Sequence, residues 1–381
     1  MSEPSAIDGR SSQSCLVAGS WHRIDHGRAV AASAADILRD AAKQDVVLLG
    51  EYHTSADDHR WQLQTLAALQ LLHPHMVIGF ESFPRRLQPV LDKWVVGQLD
   101  ADEFLQQVEW EKVWGYSAKL YMPMFEFARM NHIPMVALNV DKALAQAVSK
   151  DGWDAVPASM KEGLSRPAAP SQAYLDKLFD IYKEHASAGP DGARMSQSNP
   201  KFRHFVEAQA TWDRAMAEAL AQRTRSGRSG QRLLAVGIIG AGHVSNGYGI
   251  PYQLHDLGIS KVAKLLPVKA RRGCKPFDAD YADAIFALPD HPVTEARLGV
   301  QFEDMQGDVR IVAVEHASVA EQAGLKSGDT VVMAGGNFVK GMDELLGTIR
   351  DAPSGSWLPV KIERGEPDEL HDVVLKFPSR R

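Results

Sequence analysis

The sequence predicts an α/β protein, a mainly parallel sheet covered by helices, followed by a small α+β domain. Short apolar runs rich in β-branched residues alternate with amphipathic stretches through most of the chain, as in a parallel sheet buried on both faces. Several of these runs close on a glycine and then a polar residue, where an open α/β sheet carries its ligand site. Beyond the prolines between Leu288 and Thr294 the texture changes to short strands around two helices, which marks a domain boundary.

At 381 residues the chain is long enough for two domains, each with an adequate core. The net charge of −6 gives no electrostatic basis for a nucleic-acid or anionic-membrane partner. The basic cluster Lys269, Arg271, Arg272 and Lys275 reads as solvated loop. Cys15 and Cys274 are far apart and in no metal-type spacing, which excludes a disulfide scaffold and a thiolate zinc site. No apolar run reaches bilayer-spanning length, and the polar first twenty residues show no signal peptide, so the chain as it stands reads as cytoplasmic.

In order, residues 1–27 read as a flexible arm, rich in Ser, Gly and Asp, and 28–290 as the first domain. A helix is expected over Ala31–Ala42 and a first strand over Asp45–Glu51. Next comes a helix from Ser55 to Leu72, with Trp61, Leu63, Leu66, Leu69 and Leu72 at near-helical spacing and Thr54 or Ser55 as cap. Met76–Glu81 is the second strand, followed by two helices broken at Gly97, the second capped by Asp100. Pro123–Asn131 is helical and Pro134–Asn139 is the third strand. Residues 151–200, punctuated by Pro and Gly, read as an insertion or lid with one helix, Tyr174–His185, and a mobile part at Ser187–Asn199. Lys201–Arg223 is an amphipathic helix, Leu233–Ile239 the fourth strand, and Lys261–Val268 and Ala282–Leu288 are further strands.

Two strand ends share one shape, an apolar run, Gly, two residues and His: Gly50-Glu51-Tyr52-His53 and Gly240-Ala241-Gly242-His243. Glu81 closes the strand between them, so Glu, His, Glu and His are expected at one sheet edge. Carboxylates and neutral imidazoles suit a divalent ion, and equally general acid–base chemistry. Under the first reading Glu51, Glu81, His53 and His243 hold the ion, and Glu51 is the expected general base. Gln209 and Asp213, one turn apart on their helix, would orient the ligands, and Asn139 would face the same crevice. His59 is a candidate third imidazole, expected instead to face solvent. No HExxH helix is present, which excludes that zinc-protease mechanism.

These segments carry a resemblance. With Phe80-Glu81-Ser82-Phe83-Pro84, Trp114-Gly115-Tyr116, Ile133 through Asn139, and Trp212-Asp213-Arg214-Ala215-Met216-Ala217, the stretch from about Gly19 to Leu288 resembles the ChaN-like haem-binding uptake family of the Tiki/TraB superfamily. The resemblance implies a haem- or iron-binding protein, exported to the periplasm or anchored at a membrane, with haem held at a homodimer interface by Tyr and His. Tyr116, Tyr121 and His53 are the residues it suggests for haem. It also implies an alternative, a metal-dependent hydrolase acting on a small-molecule or peptide substrate, because related superfamily members are metal-dependent proteases. The cofactor is therefore haem or a divalent metal ion.

Residues 295–378 resemble a bacterial-type PDZ domain, most clearly in Ala323-Gly324-Leu325-Lys326-Ser327-Gly328-Asp329 and the helix Met342–Ala352. Its strands are expected at Arg310–Val314, Thr330–Met333, Leu358–Glu363 and Val373–Phe377, with a further helix at Ala317–Ala323. Leu298-Gly299-Val300 takes the place of the loop that receives a peptide's terminal carboxylate. The resemblance implies a protein C-terminus or extended peptide added as a strand, with Leu345, Leu346 and Ile349 lining the groove.

Overall fold

The computed structural model describes residues 16–186, 196–225, 233–270, 276–289, 298–305, 308–350, 352, 355–365 and 369–378. Cys15, Cys274, Arg271, Arg272, Lys275 and the 187–195 part of the insertion lie outside these residues. The chain forms two compact units, Met1–Asp290 and His291–Arg381.

The first unit is built on an eight-stranded sheet of order β2-β1-β8-β7-β3-β6-β4-β5. Its parallel part comprises β3 (Val46–Glu51), β4 (Met76–Pro84), β5 (Met135–Asn139), β6 (Leu234–Gly240), β7 (Val262–Lys269) and β8 (Ala284–Leu288). The expected parallel sheet is thus present, and it acquires an antiparallel edge. β1 (Trp21–Asp25) pairs with β2 (Arg28–Ala32) and with β8.

That edge corrects the reading of residues 1–27 as a flexible arm, which fails from residue 16 onward. Leu16 and Trp21 are buried in the core. The strands of this hairpin meet at His26-Gly27, where φ is +46° and +76°, the left-handed pair that a tight two-residue hairpin needs. An imidazole in place of Asn or Asp conceals that signal. The following helix α1 accordingly starts later than expected, at Ala34, and runs to Ala41.

Strand β3 shows why its apolar run has no alternation. Val47 and Leu49 join the core on one face of the sheet, and Val46 and Leu48 join the core on the other. On the first face lie α2 (Ala56–Leu72), α3 (Gln88–Val95), α4 (Ala101–Gln107), α5 (Trp110–Val113) and α6 (Ala118–Met130). α2 begins at the Ser55 cap, whose hydroxyl accepts from the Asp58 amide, and α4 begins at a full capping box between Asp100 and Glu103. The other face is covered by α9 (Pro200–Arg225), α10 (Ala241–Val244) and α11 (Ile250–Asp256). The sequence reading lacks α11 and α7 (Lys142–Asp151), short helices whose apolar faces are completed by neighbours distant in sequence.

In its described part the insertion is packed. Trp153, Val156 and Leu164 share a cluster with α7 and α9. Helix α8 (Gln172–Ala186) buries Tyr174 and Leu178 against Phe202 and Val206.

The second unit has a six-stranded antiparallel sheet, in order β14-β13-β11-β10-β9 with β12 on β11. The strands are β9 (Val300–Met305), β10 (Asp308–Val314), β11 (Thr330–Ala334), β12 (Asn337–Phe338), β13 (Trp357–Glu363) and β14 (Leu370–Lys376). Helices α12 (Val319–Gln322) and α13 (Met342–Arg350) complete it. β9 is absent from the sequence reading because its outer half, Glu303-Asp304-Met305, carries two carboxylates and an exposed methionine in place of the apolar run of an interior strand.

Candidate functional site

Strands β3, β6 and β4 are neighbours, so their carboxyl ends converge although they come from three distant stretches of chain. Glu51 lies opposite Gly240, and Phe80, just before Glu81, lies opposite Ile238. The Glu81 carboxylate accepts a hydrogen bond from the Gly240 amide at 2.6 Å. Gly240 is also where His53 and Glu81 meet. A Cβ built there would lie 2.9 Å from His53 Cε1 and 3.4 Å from Glu81 Oε2. Gly240→Ala is therefore expected to displace the His53 ring and to cost about 1–3 kcal/mol, the range for overpacking. A thermal melt together with the His53 ring resonances checks this, and an unshifted ring would refute the close approach.

Each imidazole is backed by a carboxylate. His53 Nδ1 is 2.8 Å from Glu51 Oε1, and His243 Nδ1 is 2.7 Å from Asp213 Oδ1. His243 Nε2 faces Glu81 Oε1 at 3.6 Å. Tyr174 on α8 donates to the second Asp213 oxygen at 2.9 Å. Burial alone would lower the His243 pKa. The Asp213 charge and hydrogen bond, joined by Glu81, outweigh it and raise the value to about 9. On the other side, Tyr121 donates to Glu51 Oε1 at 2.5 Å and His59 Nε2 lies 3.4 Å from Glu51 Oε2. Burial would raise the Glu51 pKa, but the hydrogen bonds from His53 and Tyr121 and the adjacent His59 imidazole prevail and hold it at about 2.

This geometry revises several expectations. Glu51 is not placed to act as general base, because it is buried and both its oxygens face His53, Tyr121 and His59. Its Oε1 instead lies against His53 Nδ1, a contact that fixes the direction of the ring. His59 does not face solvent: it is buried, and its Nδ1 is tied to the Ser55 carbonyl at 2.7 Å. Tyr121 is only 1% exposed and committed to Glu51, so it is not available to haem. The expected single-ion pocket is not formed either. Among the described residues no three His, Cys, Asp or Glu side chains are grouped to share a metal ion. The carboxylates are turned toward hydrogen-bond donors rather than toward a common centre.

Asp213 belongs to the site and touches His243 directly, whereas Gln209 makes no hydrogen bond to the cluster among the described residues. Asn139 spans the ends of β4 and β5, donating to the Glu81 carbonyl at 3.2 Å and accepting from the Val140 amide. Tyr116 is 36% exposed, with its ring 5.1 Å from that of His53, and Trp114 meets the same imidazole edge-on at 4.8 Å. Two further residues escape the sequence reading. Tyr174 has no local signal, because helix α8 brings it in from a distant part of the chain. Tyr52, 68% exposed, stands inside the recognised motif and is overlooked between its Glu and His neighbours.

A family model described as haem-binding uptake, Tiki superfamily, ChaN matches residues 37–254, more than half of the 381 residues. The chain belongs to this family. The ChaN protein of Campylobacter jejuni, in a structure described as cofacial haem binding, is 20% identical; the match covers 71% of this chain and 98% of that one, with a TM-score of 0.54. At that identity the likeness establishes the ChaN fold. No protein of curated function matches the chain.

A PDZ model matches residues 296–375, and the second unit of this ChaN-family protein is a PDZ domain. The HtrA3 PDZ domain bound to a phage-derived ligand is 16% identical, the match covering 21% of this chain and 82% of that one at a TM-score of 0.19. A serine endoprotease from Yersinia pestis is 18% identical, covering 24% and 32% at 0.21.

In the PDZ domain β9 pairs with β10 on one side, and among the described residues its other edge has no strand partner. Gly299 has φ +74°, and a Cβ there would lie 2.3 Å from Ser318 Cβ, so the loop before β9 requires glycine. The expected lining of the groove is revised. Leu298, Leu345 and Ile349 are buried in the domain core, and Leu346 is exposed. Half-buried Val300 and Phe302 on β9 and Met342 at the start of α13 are apolar side chains packed on that core and still partly open.

Proposed function

We propose that this ChaN-family protein binds haem at the carboxyl edge of its parallel sheet, and that its PDZ domain holds the free C-terminus of an extended peptide. The observation that carries the first part is His53. Its Nδ1 is held by Glu51, so the ring presents its other nitrogen, and two exposed phenols, Tyr52 and Tyr116, stand on either side of it in sequence or space. Imidazole and phenolate are established axial ligands of haem iron, and a carboxylate behind the ring makes the imidazole a stronger one. Haem, when bound, would supply an iron centre that takes side-chain ligands. His53 with Tyr52 or Tyr116 would hold it, and Trp114 and Tyr116 would cover apolar macrocycle surface. The alternative of a divalent-ion hydrolase has no comparable support, since no three-ligand group stands behind it among the described residues.

Titration of purified protein with micromolar haemin is expected to shift the Soret band. His53→Ala should weaken binding about ten- to hundredfold, the scale for ligand and supporting-ligand losses at such sites. Tyr52→Phe and Tyr116→Phe identify the phenolate, because only the ligating one changes the spectrum. No Soret change in the wild-type protein would overturn the proposal. The cofacial haem described for the Campylobacter protein makes pairing of two copies the arrangement to look for, by sizing the protein with and without haemin.

For the PDZ domain the support is the open β9 edge beside the Gly299 loop. A peptide pairing antiparallel with β9 would place its terminal carboxylate at the loop amides. Its last side chain would lie over Val300, and the one two residues earlier over Phe302 and Met342. No helix among the described residues is long and apolar enough to cross a membrane.

A further inference from the structure

We infer that the PDZ groove selects a basic side chain four residues before the C-terminus of its peptide, and that Asp304 is the residue that reads it. The inference rests on the strand-addition reading above and adds a specificity that reading lacks.

Side chains alternate along β9, so Val300, Phe302 and Asp304 share one face while Gln301, Glu303 and Met305 share the other. The burial pattern follows the alternation: Val300 and Phe302 are half-buried, and Gln301 and Glu303 are exposed. Asp304 continues the groove face. Its Oδ2 lies 3.9 Å from where a Cβ on Gly341 would stand, so the carboxylate is directed to the start of α13, the wall opposite β9. An antiparallel peptide with its last residue at Val300 has its third-last at Phe302 and its fifth-last at Asp304. Directly opposed side chains in such a pair lie about 5 Å apart on the same face and interact when their charges are opposite.

The opposite wall strengthens the preference. The first turn of α13 carries Asp343 and Glu344, with Glu344 accepting from the Lys340 amide at 3.1 Å. Among the described residues 299–305 and 339–345, Lys340 is the one cation, against Glu303, Asp304, Asp343 and Glu344. The far end of the groove is therefore net negative, while the near end is apolar and closes on amides that take a carboxylate. A ligand complementary to all three has a free C-terminus, apolar residues at the last and third-last positions, and Lys or Arg at the fifth-last.

The test uses the full chain and three fluorescein-labelled octapeptides ending Xaa-Ser-Val-Ser-Val with a free carboxylate, where Xaa is Lys, Gln or Glu. An amidated form of the Gln peptide is the fourth probe. The Lys peptide is expected to bind about fivefold more tightly than the Glu peptide at low salt, with Gln between them. The gap should close in 0.5 M salt, as a solvent-exposed charge contact requires. Asp304→Asn should shrink the gap between Lys and Glu while the free Gln peptide still binds more tightly than its amidated form. That second readout separates lost charge recognition from a damaged fold. Equal affinity for Lys and Glu peptides, with amidation still abolishing binding, would overturn the role of Asp304 alone. Binding that is absent, or indifferent to amidation, would overturn both it and the C-terminus reading beneath it.

Discussion

Glu51→Gln is expected to destabilise the ChaN domain by about 3 kcal/mol at neutral pH. Two arguments give that size. Breaking one partner out of a buried charged cluster costs about 3–5 kcal/mol, because the groups left behind are buried without compensation. The fully buried ones are His59 and Tyr121, and His53 is half-buried beside them. Independently, the Glu51 pKa stands at about 2 against an ordinary 4.5, and at 1.36 kcal/mol per unit that difference is worth about 3 kcal/mol. A depressed carboxylate stabilises the fold above its unfolded pKa and loses that contribution as pH falls through the folded value. The wild-type protein should therefore lose this stability between about pH 5 and pH 2, and the Gln variant should lack that part of the acid limb. Urea denaturation across this range measures both. A variant as stable as wild type at pH 7, with an unchanged acid slope, would show that Glu51 is a bystander.

The alkaline side is expected to belong to His243. Its pKa is raised from 6.5 to about 9 by Asp213 and Glu81 against the opposing effect of burial. A raised imidazole contributes stability that is fully present below the unfolded pKa and disappears as pH climbs through the folded one. Stability should thus fall by up to about 3 kcal/mol between pH 6.5 and about pH 9.5. Asp213→Asn should flatten this limb and return the His243 titration, followed by its ring resonances, toward neutrality. Tyr174→Phe should leave the limb in place, because it removes one hydrogen bond from Asp213 and no charge. An alkaline limb that survives in Asp213→Asn would assign it to other groups, with His59, also raised, the first to examine.

The parts of this protein legible in its sequence are those whose cause is local. Val46-Val47-Leu48-Leu49 is buried on both faces and so reads as a continuous apolar run. The caps at Ser55 and Asp100 are side-chain to backbone bonds across three residues, and spacing alone finds them. Gly50, Glu51 and His53 stand out because a strand end in a parallel sheet is a predictable position. The β1–β2 hairpin was not legible, since its turn uses His-Gly and its strands are short and partly exposed. Helices α7 and α11 were hidden for the related reason that their burial depends on α9.

The site divides along the same line. Sequence alone determined which residues would arrive at the sheet edge: Glu51, His53, Glu81 and His243, together with the family they identify. Only the tertiary structure decided what each does there. Whether a carboxylate is a base, a ligand or a brace depends on which donors reach it. For Glu51 these come from its own strand end, α2 and α6, while for Asp213 they come from α8 and the β6 end. Hydrogen bonds and charges act over a few ångströms of space, and sequence separation carries no information about those few ångströms once the chain has folded.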